Sequence, residues 1–126
     1  MSQLSRELFG RGYIVRSDSI TIAAGSSTAN ASAISAPTSP KTRIIIDELW
    51  VSIDSAGYVK LNCTSTSGTQ LTPRLQFPEA STQHYPDIQL VADDGTAVFV
   101  TITLPAAAVA TVTCSYWIRY HENRGG

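Results

Sequence analysis

From Tyr13 to Tyr120 hydrophobic and polar positions alternate with period two. In the stretch DDGTAVFVTITLPAAAVATVTCSYWIRY (93–120), Thr96, Val98, Val100, Ile102 and Leu104 fall on the even parity. Ala110, Val112, Cys114, Tyr116, Ile118 and Tyr120 continue it after a turn. Successive side chains of a strand point to opposite faces, so each run sorts into a buried and an outward set. The pattern predicts strands near 12–22, 29–36, 41–54, 57–65, 69–77, 83–91, 96–104 and 110–120. Turn formers fill the gaps: AGSS at 24–27, PTSP at 37–40, AG at 56–57, SG at 67–68 and DDG at 93–95. The Asp-Gly pair between alternating runs predicts a type I′ hairpin.

Two segments read as sheet edges. Pro73, inside LTPRLQF, cannot donate to a ladder and predicts an edge or bulged strand. The small-residue run GSSTANASAISAPTSP (25–40) keeps a weak alternation through Ala29, Ala31 and Ala33, which predicts an edge strand and not a linker. Helical spacing occurs only at 3–9, where Leu4, Leu8 and Phe9 share one side. About eight short strands with no helices between them predict an all-β, antiparallel two-sheet sandwich or barrel. At 126 residues there is room for one core, so the expected organisation is an N-terminal arm, 1–16, and one sandwich domain, 17–126.

Parity assigns Leu49, Val51, Ile53, Val59, Leu61, Cys63, Val98, Val100, Ile102, Val112, Cys114, Tyr116 and Ile118 to the core. It turns Trp50, Tyr58, Phe99 and Trp117 outward, which as one patch would exceed what monomers usually expose. These four, with Leu4, Leu8, Phe9, Arg11 and Tyr13 of the arm, are the candidate interface residues.

Composition sharpens this picture. Only 15% of residues are charged, against 43% hydrophobic, which suits a hydroxyl-rich surface or one covered by partners. Residues 1–16 carry a net +2 and residues 47–94 a net −5, so a basic arm can dock on a neighbour's acidic body. No basic stripe marks a nucleic-acid partner, and no apolar run approaches the ~20 residues of a membrane span. The N-terminus MSQLSRELFGRGY lacks a signal-peptide core, so synthesis and retention in the cytosol are expected. Cys63 and Cys114 are isolated and inward, which predicts buried, reduced thiols.

No enzyme template fits. Cys63, His84 and Asp87 offer triad residue types, but Cys63 faces inward, where a nucleophile is hard to reach. Asp93 and Asp94, even with Asp87, are fewer oxygen ligands than a calcium loop supplies. The expectation is no catalytic residue, no cofactor and no metal.

The run SITIAAGSSTANASAISAPTSPKTRIIIDELWVSIDSAGYVKLNCTSTSGTQLTPRLQFP, followed by a loop and then residues 93–120, resembles the small jelly-roll structural proteins of tailed bacteriophages, including head decoration (cement) proteins. The likeness spans 19–120 and is one of pattern and composition. It implies a jelly roll bound repetitively outside an assembled shell, self-associated as a trimer, with the major capsid protein as partner. No catalytic residue comes with it. The alternatives are a carbohydrate-binding β-sandwich, with Trp50, Tyr58 and Trp117 stacking on sugars, and a jelly-roll component of a phage tail or baseplate.

Overall fold

The computed structural model describes residues 12–65 and 68–124, and among these the ordered elements are all strands. They are β1 (Ile14–Ile22), β2 (Thr28–Ile34), β3 (Thr42–Ile53), β4 (Gly57–Cys63), β5 (Thr69–Gln70), β6 (Leu75–Phe77), β7 (Ser81–Tyr85), β8 (Leu90–Val91), β9 (Val98–Thr103) and β10 (Val112–Arg124). The helical turn expected at 3–9 lies outside the described residues. The arm boundary expected at residue 16 falls within β1, which already pairs with β10 at Ile14.

Two antiparallel sheets pack face to face. One runs β1-β10-β3-β7, with β8 also on β3; the other runs β2-β9-β4-β5, with β6 also on β4. Pro73 separates β5 from β6 and Pro86 separates β7 from β8, because neither ring can donate to a ladder. Joining each interrupted pair leaves eight strands in jelly-roll order. The predicted edges stand: β2 closes one side of its sheet, and β5 and β6 flank β4 on the other.

Every residue that parity placed in the core is buried, and Val59, Leu61, Val98, Val100, Ile102 and Ile118 are fully enclosed. Each such aliphatic contributes roughly 1.5–3 kcal/mol relative to leaving it in water. Both cysteines are free and buried. Burial, with the nearby Asp54 charge second, pushes the Cys114 thiol up to about 12. At neutral pH that thiol is protonated and inert.

Alternation alone does not carry β3 through its length. Ile44 and Ile46 are buried on the even parity, yet Leu49, Val51 and Ile53 are buried on the odd. The register resolves this: Arg119 faces Glu48 and Tyr120 faces Ile46, leaving Asp47 as an extra residue. This β-bulge switches the parity without turning either set outward.

The predicted type I′ hairpin at Asp94-Gly95 does not form. β8 belongs to one sheet and β9 to the other, so residues 92–97 carry the chain across the sandwich. Gly95 has φ +70, but neither Asp93 nor Asp94 adopts a positive φ. The Gly95 amide donates to the Thr42 carbonyl at 2.7 Å, and both the amide and the hydroxyl of Thr96 donate to the Asp93 carbonyl. A hairpin rule presumes that consecutive strands are neighbours; jelly-roll topology puts these two in different layers.

Candidate interaction surface

The outer face of the β1-β10-β3-β7 sheet is built in rows, because cross-strand register aligns like residues. Ser17, Trp117, Trp50 and His84 face one another across four strands. The next row is all hydroxyl, Ser19, Ser115, Ser52 and Thr82, and the Thr82 hydroxyl donates to Ser52 Oγ at 3.0 Å. On the other side come Val15, Arg119 and Glu48. An aromatic band thus lies between a hydroxyl band and a charged one.

Trp50 is 41% exposed, and the His84 ring stacks on it with centroids 3.7 Å apart and planes 13° from parallel. Trp117 beside it is half-buried. A shallow groove of about 140 Å³ runs between the two indoles and is bordered by Ser52 and Ser115.

Glu48 organises the charged row. One carboxylate oxygen lies 2.6 Å from His84 Nε2 and the other 3.3 Å from Arg119 Nε. The hydrogen bond from His84 holds the Glu48 carboxyl below the usual carboxylate range, partial burial opposes this, and the Arg119 charge adds to the lowering. The Arg119 guanidinium lies 4.9 Å from the centre of the Tyr13 ring, and Tyr13 meets His121 edge-on at 5.4 Å. His121 Nδ1 in turn sits 2.7 Å from Asp47 Oδ2 on the bulge. These contacts run without a break from Trp50 to Tyr13, the second of the described residues.

The four outward aromatics do not form one patch. Trp50 and Trp117 share the face just described. Tyr58, on β4, and Phe99, on β9, lie on the outer face of the other sheet. Tyr58 is half-buried with the Arg74 guanidinium 4.7 Å from its ring centre. Phe99 stands between Ser32 and Asn62. Period-two parity distinguishes in from out, but it cannot say which of two outer faces a residue joins; pairing decides that. Tyr13 is half-buried against Arg119 and His121. Leu4, Leu8, Phe9 and Arg11 lie outside the described residues.

Sequence reasoning missed Glu48, His84 and Arg119 as a group. They come from β3, β7 and β10, and no local spacing links them. Among the described residues, no cluster of three or more His, Cys, Asp or Glu side chains is arranged to hold a metal. Asp93, considered for calcium, accepts the hydroxyls of Thr64 and Thr69 at 3.3 and 3.0 Å, and Asp94 pairs with Arg43 at 3.2 Å.

No protein-family model and no curated protein sequence matches the chain. Among solved structures it is similar to one from work on Bacillus endospore appendages, described as a novel family of disulfide-linked pili. That likeness has 16% identity and a TM-score of 0.41, and covers 87% of this chain and 88% of that one. A protein from work on CBM4 structure and function matches at 9% identity and TM-score 0.40, over 90% and 94% of the two chains. The Tobacco streak virus coat protein matches at 14% identity and TM-score 0.35, over 86% and 88%. All three TM-scores lie below 0.5 and all three identities below 25%.

Proposed function

We propose that this chain is a non-enzymatic structural protein of a tailed-phage virion, a head decoration or minor capsid protein that self-associates on the outside of the assembled shell and reinforces it. The observation that carries the reading is the Trp117–Trp50–His84 row. It is an aromatic strip on an outer sheet face, with a hydroxyl row on one side and the Arg119–Glu48 pair on the other. Trp and Tyr are enriched among interface hot spots, and the hydroxyl side costs less to desolvate than the charged side. Trimers are the proposed assembly, the major capsid protein the proposed partner, and the basic arm the proposed tether. A place in a tail or baseplate uses the same surface.

The second reading is glycan binding, favoured by the groove between Trp50 and Trp117 with Ser52 and Ser115 at its border. A sugar ring can stack there and take hydrogen bonds from the hydroxyls. Weighing against it, Tyr58 belongs to the other sheet, and His84 already covers one face of the Trp50 ring.

Solution mass together with co-sedimentation on phage heads lacking the protein tests the reading. A defined oligomer that pellets with heads supports it. A monomer that ignores heads and binds oligosaccharides through Trp50 replaces it with the second.

A further inference from the structure

Each sheet has two lateral edges, and three of the four are guarded against another strand. β1 carries Arg16 and Asp18, both exposed. β7 and β8, five and two residues long, are parted by Pro86. β5 and β6 are two and three residues long, with Pro73 and Arg74 between them. The Gln76 carbonyl of β6 also accepts the Gln83 side chain at 2.7 Å. β2 has none of these devices between Thr28 and Ser32. No charged side chain occurs from residue 19 to residue 40, and the bulge of β2 comes only after Ser32.

The ladder fixes which backbone groups of β2 are left over. The Leu104 amide donates to the Ser27 carbonyl at 2.8 Å, and the register continues through Ala29–Ile102 and Ala31–Val100. Antiparallel pairs alternate, so Ser27, Ala29 and Ala31 turn their N–H and C=O groups towards β9. Thr28, Asn30 and Ser32 turn theirs the other way, where among the described residues no second strand pairs with them. Donors and acceptors at this repeat are matched by one kind of partner, an extended main chain. The inward Ala29 and Ala31 are only half-buried, so an added strand would also cover them.

We infer that this partner is β2 of a second copy, paired antiparallel about a two-fold axis at Asn30. Asn30 then faces its own equivalent and Thr28 faces Ser32 of the other copy, and each facing pair exchanges both main-chain bonds. β2 supplies both halves of such a seam: its edge is unguarded, and its charge-free sequence brings no like charges together across the axis. The seam would join two five-stranded sheets into one. A two-fold contact closes on two copies, so it can link trimers held by another surface but does not build one. It stands on the edge geometry and not on the virion reading.

Amide exchange and solution mass of the full chain test it. The N–H groups of Thr28, Asn30 and Ser32 should exchange fast in dilute protein and slow by about tenfold or more as rising concentration pairs the chains. Those of Ala29 and Ala31, held by β9, should be slow throughout. Asn30→Pro removes an outward donor and leaves the β9 ladder whole. It should keep Tm within a few degrees and show a lower mass than the parent at matched concentration. If that variant does not fold, Asn30→Lys sets like charges face to face across the axis. Its association should be weaker than the parent's at low salt and recover as salt rises. Three amides that exchange fast at every concentration, or a folded Asn30→Pro protein that associates like the parent, would overturn the seam. Slowed amides in a protein that ignores phage heads keep the seam and lose the virion reading. Fast amides in a protein that pellets with heads do the reverse.

Discussion

Gly95 has φ +70, and a Cβ added there would stand 2.9 Å from Pro40 Cα, which is backbone and cannot rotate away. Either constraint alone disfavours a side chain; together they make the crossover between sheets depend on this one residue. Gly95→Ala should therefore cost about 2 kcal/mol or more, seen as a lower denaturant midpoint with an unchanged slope. Asp94, whose pair with Arg43 is solvent-exposed, tolerates Asn at little cost. Glu48 predicts a pH effect. Its folded-state value lies below the ordinary 4.5, so its contribution is fully present above that pH and is lost as pH falls through the folded value. Glu48→Gln should lower Tm modestly at pH 7, by the equivalent of less than about 1 kcal/mol because the pair is partly exposed. The gap between variant and parent should narrow as pH falls below 4.5 and through the lower folded-state value. A gap that persists unchanged there would show that packing, and not charge, is what Glu48 supplies.

At the level of strands, the Asp47 bulge lets β3 serve the core at both ends. Deleting residue 47 would force Ile44 and Ile46, both fully buried, onto the outer face or push the second half of the strand out of register. The deletion variant should show no cooperative unfolding transition. Asp47→Ala keeps the residue count and loses only the contact with His121, so it should fold with a deficit of about 1–3 kcal/mol. β1 illustrates another device. It is an edge strand, and Arg16 and Asp18 occupy its inward parity where an aliphatic would be expected, yet both are exposed. Charges so placed discourage another chain from adding to that edge.

For the whole molecule, the aromatic row lies on the outer face of the β1 sheet, away from the core between the two sheets. Self-association can therefore be dissected. Replacing Trp50 and Trp117 together by Ala should leave Tm within a few degrees and shift the chain towards monomer in sedimentation at matched concentration. On the proposed tethering by the basic arm, 0.5 M salt should weaken assembly further in that variant than in the parent. Unchanged mass in the double variant would remove the aromatic strip from the interface.

Much of this protein follows from its sequence alone. Burial of Val98, Val100, Ile102, Val112, Cys114 and Ile118, the edge character of β2 and of the Pro73 segment, and the absence of helix among the described residues are local consequences of period-two spacing and of proline chemistry. The outward direction of Trp50 and Trp117 was equally legible. Only tertiary pairing decided the rest. Trp50 and Trp117 share a face while Phe99 and Tyr58 occupy the opposite one, because β3 and β10 pair in one sheet and β4 and β9 in the other. Asp94-Gly95 spans two layers and does not fold back, and Glu48, His84 and Arg119 meet only because three strands distant in sequence lie side by side. Alternation records which way a side chain points relative to its own strand. Which strand lies next to it is a non-local choice, made by the burial of both sheets against each other.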